Sequence, residues 1–147
     1  MIKDGLIALL TGANGASNQT PYLALQAAVV AISGDAVSKN VLPRGYTLPA
    51  IAVHSYGSTQ ENDMIGPNTI REDQIQLDMY GATSDQTDSL YEACRALLIG
   101  YVGTLPDGTV VLLCQLERGM DMPFLPNADT KGIANRAVLG FKIVSQR

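Results

Sequence analysis

Ile70-Arg71-Glu72-Asp73-Gln74-Ile75-Gln76-Leu77-Asp78-Met79-Tyr80-Gly81-Ala82-Thr83-Ser84-Asp85-Gln86 changes its hydrophobic period part-way through. Ile75, Leu77 and Met79 alternate with Gln74, Gln76 and Asp78, the two-residue period of a strand with one face covered. At Thr83-Ser84-Asp85-Gln86 the pattern becomes a capping box, with Asp85 and Asp88 in the first turn where the helix dipole favours acid. Leu90, Cys94, Leu97, Leu98 and Tyr101 then fall on one helical stripe that stops near Gly100 or Gly103. A strand from Ile70 to Tyr80 feeding such a helix predicts a sheet whose apolar face that helix covers.

Working outward, a strand is expected from Ala50 to about Tyr56, after the breakers Pro43-Arg44-Gly45 and Pro49. Gly57 to Asn68 is polar and breaker-rich and reads as a loop. Beyond the helix, Asp107-Gly108 marks a turn before a strand from Thr109 to about Arg118. Gly119 to Asn135 reads as a second long loop. A last strand runs from Arg136 to Val144, with Ala137, Leu139, Phe141 and Ile143 alternating inward. Towards the N-terminus, Ile2, Leu6, Leu9 and Leu10 trace a short helix ending near Thr11-Gly12. A Gly/Asn/Ser link near 11–20 follows, and Thr20-Pro21 opens a second helix carrying Leu25, Val29 and Ile32. The expected fold is α+β: one domain over 1–147, order α-α-β-β-α-β-β, with an antiparallel or mixed four-stranded sheet packed on one side by helices.

Composition narrows the function classes. The chain has 147 residues, is 46% apolar and only 16% charged, and carries a net charge of −4. That balance, with no Lys/Arg run, supplies no broad electrostatic grip on DNA or RNA, and no sequence-specific nucleic-acid binding is expected. From Gly5 to Gly34 there is no Asp, Glu, Lys or Arg. The longest apolar run within it, Tyr22 to Ile32, includes Gln26 and falls short of the roughly 18 residues of a bilayer span. No signal peptide is expected either, so the chain reads as made in the cytoplasm. Cys94 and Cys114 have no metal or redox spacing and read as small buried apolar residues.

No residue set announces catalysis, a cofactor or a metal. His54 is the single histidine, and no G-x-S-x-G elbow accompanies it. Gly12-Ala13-Asn14-Gly15 lacks the G-K-[ST] of a phosphate loop and does not follow a strand. Asp78 reads as a sheet-surface acid, Asp107 as a turn residue, and Asp121 and Asp129 as solvated loop acids. What remains is surface. Met64 and Ile65 in the first expected loop, and Met120, Met122, Phe124 and Leu125 in the second, are candidate contacts with a partner chain. Gln26 and Val30 join them, on the expectation that the uncharged N-terminal stretch is covered by a neighbouring subunit in an assembly.

Several runs together carry a family resemblance: Ile32-Ser33-Gly34-Asp35, Leu42-Pro43-Arg44-Gly45, Leu48-Pro49-Ala50-Ile51, and Gln74 to Thr83 running into the helix through Leu97. From about Ala31 to the C-terminus the chain resembles the tail completion (tail terminator) proteins of long-tailed bacteriophages, prophages and phage-like particles. The N-terminal helix and its link depart from that pattern. The resemblance implies a virion protein at the head–tail junction that forms a ring, typically a hexamer, on the head-proximal end of the tail tube. It implies as partners further copies of itself, the tail tube protein and a head-proximal neck or connector protein, with no membrane and no cofactor. Two other readings stand beside it: another head–tail joining (neck) or minor tail protein, and a small-ligand-binding or hydrolytic α+β domain using His54.

Overall fold

The structure, a computed structural model, describes residues 2–11, 29–31, 37–40, 48–63, 66–123 and 135–146. In chain order these form α1 (Ile2–Thr11), a helical turn at 29–31, β1 (Val37–Lys39), β2 (Ala50–Asp63), β3 (Gly66–Gly81), α2 (Ser84–Leu98), β4 (Gly103–Thr104), β5 (Val110–Pro123) and β6 (Asn135–Gln146). The expected link near 11–20, from residue 12 on, and most of the expected second helix lie outside the described residues.

The sheet is mixed and six-stranded, in the order β1-β2-β3-β6-β5-β4, and it curls into a half-barrel. This corrects the expected four-stranded sheet. The two extra strands, β1 with three residues and β4 with two, are too short to leave any periodic trace in the sequence. β1 runs parallel to β2 through Val37↔Ile51 to Lys39↔Val53, and β4 meets β5 only at Gly103↔Val111 and Thr104↔Val110.

The two expected loops are also corrected. β2 continues to Asp63 and β3 begins at Gly66, so most of Gly57–Asn68 is paired strand. In the second, β5 continues to Pro123, so Gly119 to Pro123 is strand, and β6 begins at Asn135, while 124–134 lie outside the described residues. Within these extensions Gly57, Ser58, Thr59 and Gln60 alternate no apolar residues, because backbone pairing and not a buried face holds them in strand form.

β3 and β6 form the centre, paired without a register break from Ile70↔Gln146 to Gly81↔Asn135. The flanking pairings are irregular: Tyr56 is an extra residue in β2, Leu112 and Glu117 are extra residues in β5, and where the β6 pairing ends Glu61 of β2 faces three residues of β3, 68–70. Bulges bend a strand and increase its twist, which accounts for the curl of the sheet around a straight central pair.

One face is apolar. Ile51, Val53, Ile75, Leu77, Met79, Leu139, Phe141 and Ile143 pack in a single cluster with Leu90, Cys94, Leu97 and Leu98 of α2 and with Ile2, Leu6, Leu9 and Leu10 of α1. α2 lies over β3 and β6, while α1 lies over β1 and β2. α2 starts at Thr83, whose side chain accepts from the Gln86 N–H at 3.2 Å. The Gln86 side chain reaches back to the Ala82 N–H at 3.1 Å, one residue before the cap. It ends where Gly100 takes φ 69°, a left-handed turn that glycine adopts without strain.

α1 is held by polar clasps as well as by burial. Lys3 Nζ donates to Asn40 Oδ1 at 3.0 Å, and Lys39 Nζ pairs with Asp4 at 3.0 Å, which holds the Asp4 carboxyl below its ordinary pKa. Leu6, Leu9 and Leu10 are at most 1% exposed. In this helix, therefore, the lack of charge after Gly5 reflects burial in the chain's own core.

Truncation of Leu9 to Ala is expected to cost about 2–5 kcal/mol in urea unfolding, and Thr83→Ala about 1 kcal/mol, since one leaves a cavity and the other an open cap. Burial pushes both thiols, Cys94 and Cys114, up to about 12 from an ordinary 9.0. Because the unfolded thiols ionise first, their contribution favours the fold below that ordinary value and is lost as pH rises towards the raised one. Both thiols should therefore resist a maleimide at neutral pH and label promptly in urea.

Candidate assembly surface

The face of the sheet turned away from the helices carries a connected polar network. In register, Arg118, Gly140, Gln76 and His54 stand side by side across β5, β6, β3 and β2. Arg118 lies across Gly140, where a Cβ would come within 2.9 Å of the Arg118 Cγ. That clearance lets the guanidinium reach β3 and donate to Gln76 Oε1 at 3.0 Å. Gln76 Nε2 in turn donates to Asp78 Oδ1 at 2.9 Å. The other carboxylate oxygen, Asp78 Oδ2, lies 3.1 Å from an Arg136 nitrogen and 2.7 Å from His54 Nε2. The His54 contact has ion-pair distance when the imidazole is protonated, although its N–H is not aligned for a hydrogen bond. Tyr56 and Tyr80 lie under Arg118 and Arg136, at 5.7 and 5.9 Å from ring centre to guanidinium.

Asp78 is thus no surface acid: its side chain is only 3% exposed, between the Arg136 guanidinium and the His54 imidazole. A carboxylate so buried is tolerated when charge and hydrogen bonds surround it. The network ties β2, β3, β6 and β5 together, and Arg136 neutralises the carboxylate that a catalytic histidine would use as its orienting partner. Two clefts open elsewhere, and His54 lines neither. One, of about 50 Å³, lies among Ile2, Ser55, Ser58, Arg71, Asp73, Thr109 and Ser145. The other, of about 410 Å³, lies between α2 and β5 beside Asp88, Tyr91, Glu92 and Met120. Among the described residues no group of three or more His, Cys, Asp or Glu is placed to hold a metal ion, and no helix is long and apolar enough to cross a membrane.

Of the residues singled out in the sequence, Met120 stands on the polar-network face of β5, opposite Val138, and is 48% exposed. The Met122 backbone continues that strand, opposite Arg136. Val30 sits half-buried in the helical turn at 29–31, next to the fully buried Val29. Gln26, Met64, Ile65, Phe124 and Leu125 lie outside the described residues.

Two further surface features were not singled out. The pairing of β6 ends at Ile70↔Gln146, whereas β2 and β3 stay paired out to Asp63↔Gly66, so a two-stranded arm overhangs that end of the sheet. Isolated two-stranded ribbons are marginal in water, and an arm of this kind gains from a partner. At the β4–β5 edge, Ile99, Val102, Val110, Leu112 and Leu113 are between 37% and 48% exposed. The Gly100 N–H to Cys114 carbonyl bond, 3.0 Å, holds the 99–103 turn against β5. The available signal was absence: between Ile99 and Leu116 the only charged residue is Asp107.

No known family profile matches the chain, and no curated protein matches it. Among solved structures the fold is similar to a chain in the virion of a native gene transfer agent particle. The TM-score is 0.59 at 16% identity, over 86% of this chain and 90% of that one. The two chains share a fold over nearly their whole lengths.

Asp78→Ala is expected to destabilise the fold by about 3 kcal/mol, because it leaves the Arg136 guanidinium facing a partly buried site with no counter-charge. Urea unfolding measures it. Gly140→Ala is expected to displace Arg118 from Gln76, seen as loss of coupling between Arg118→Ala and Gln76→Ala in a double-mutant cycle.

Proposed function

We propose that this chain is a virion structural protein of the tail-completion type. In this reading it forms a ring at the head-proximal end of a tail tube, ends tube growth and presents the surface that joins tail to head. The observation that carries the reading is the end-to-end likeness in fold to a chain of an assembled virion. The sequence resemblance to tail terminators from about Ala31 onward supports it independently. The surfaces are of a matching kind: an overhanging arm, an apolar sheet edge and a polar network that braces the sheet. The proposed partners are copies of the same chain, the tube protein and a neck protein, and the role is one of assembly, without catalysis.

Immunogold labelling of particles is expected at the head–tail junction, and disruption of the gene should leave unjoined heads and tails with over-long tubes. Label confined to the distal tip or to the capsid would overturn the proposal. Adding purified protein to polymerising tube subunits should arrest growth. A chain located at the junction that leaves tube growth unaffected would instead be a head–tail joining layer.

A further inference from the structure

We infer that the polar cleft at the arm end of the sheet receives an uncharged carboxamide, the side chain of an asparagine or glutamine on a neighbouring chain. The source of that group rests on the proposed assembly role, whereas its chemistry rests on the cleft itself.

The helix-covered face of the sheet changes character towards this end. On β3, Arg71, Asp73, Ile75, Leu77 and Met79 share one side by strand alternation, and the last three belong to the core. Paired residues continue the polar rows: Ser58 stands beside Asp73, and Ser145 beside Arg71. With Ser55 and Thr109 these side chains line the cleft of about 50 Å³, and Ile2 of α1 supplies its apolar wall. That volume admits a few water-sized groups.

Two of the lining groups are buried without a partner. Asp73 is 4% exposed, and among the described residues no hydrogen bond or ion pair reaches its carboxylate. Arg71 donates from a terminal nitrogen to Ser58 Oγ at 3.1 Å, which leaves its Nε buried with no partner. Polar groups left in that state lower stability. Native chains keep them chiefly where function uses them.

Charge selects the occupant. Asp73 and Arg71 offset each other, so a cation drawn to the carboxylate is repelled by the guanidinium, and an anion meets the reverse. A neutral group with both a donor and an acceptor satisfies the two at once. In a carboxamide the NH2 donates to the Asp73 carboxylate while the carbonyl accepts from Arg71 Nε. Donor and acceptor then sit on separate atoms, as suits two groups that make no ion pair with each other. The hydroxyls of Ser55, Thr109 and Ser145 donate or accept as required and complete the set. Position supplies the source. Arg71↔Ser145 lies one pair from the end of the β3–β6 ladder, and beyond it β2 and β3 continue as the arm. A chain engaged by the arm therefore passes the mouth of the cleft, where Ser58 is exposed.

The test uses the purified full-length chain, labelled for nitrogen NMR, with acetamide as the isolated carboxamide. Acetamide should shift the Arg71 Nε–H and Ser145 backbone amide resonances saturably. Acetate, methylammonium and ethanediol should not. Asp73→Leu should abolish the response and shift the urea midpoint upward, because it removes a buried carboxylate that has no partner. Ser145→Val, which fills the cleft and keeps Asp73, should abolish the response as well. In particles, folded Asp73→Leu chain should fail to join heads to tails. An equal response to ethanediol or to either ion would overturn the carboxamide assignment. No saturable response to any probe would mean that water alone fills the cleft, and a downward midpoint shift in Asp73→Leu would mean that the carboxylate only holds the fold; either overturns the site. Acetamide binding by the parent, with normal joining by Asp73→Leu, would overturn the neighbouring chain as the source. Failure of acetamide with label still at the head–tail junction would remove only this site, whereas acetamide binding by a protein absent from virions would remove only the proposed function.

Discussion

The antiparallel pairing of β3 with β6 is the constraint from which the rest of the structure follows. It joins two hairpins that are distant in sequence, and it runs unbroken from Ile70↔Gln146 to Gly81↔Asn135. Its apolar side presents Ile75, Leu77 and Met79 beside Leu139, Phe141 and Ile143, the surface on which α2 rests. Because the pairing of the two central strands is uninterrupted, curvature over that length is left to the bulges at Tyr56 of β2 and at Leu112 and Glu117 of β5. The same pairing brings Asp78 and Arg136, nearly sixty positions apart in the chain, to within ion-pair distance.

That ion pair shows how the two faces of one sheet serve different ends. The helix-covered face is held by burial, which is non-directional and tolerant of detail. The opposite face is held by directed contacts: Arg118 to Gln76, Gln76 to Asp78, and Asp78 to Arg136 and His54. These contacts depend on Gly140 leaving a path for Arg118. A polar brace of this sort keeps four strands in one geometry without adding a second hydrophobic layer. The face thus carries its structural contacts in polar form, although exposed Met120 and Tyr56 stand beside them.

Much of the fold was legible because strong periodicity survives translation into structure. α2 with its Thr83 cap, the inward line Ile75-Leu77-Met79 and the α1 stripe Ile2-Leu6-Leu9-Leu10 all stand where the residue pattern puts them. The outer parts of the hairpins were not legible, since Gly57 to Gln60 are strand by virtue of their partners and show no alternation of their own. Charge depletion was visible in sequence but its meaning was not. After Gly5 it marks core in α1, whereas between Ile99 and Leu116 it also marks exposed side chains. Composition reports how many polar groups a segment has, and only packing decides whether the remaining apolar ones are covered.

The sequence by itself determined the local elements and the inward face of each, because period and capping are written in residues a few positions apart. Only the tertiary structure decided the six-strand order, the burial of Asp78 between Arg136 and His54, and the exposure of Ile99, Val102, Val110, Leu112 and Leu113. Each of these depends on residues tens of positions apart becoming neighbours, and short-range patterns carry no record of that pairing.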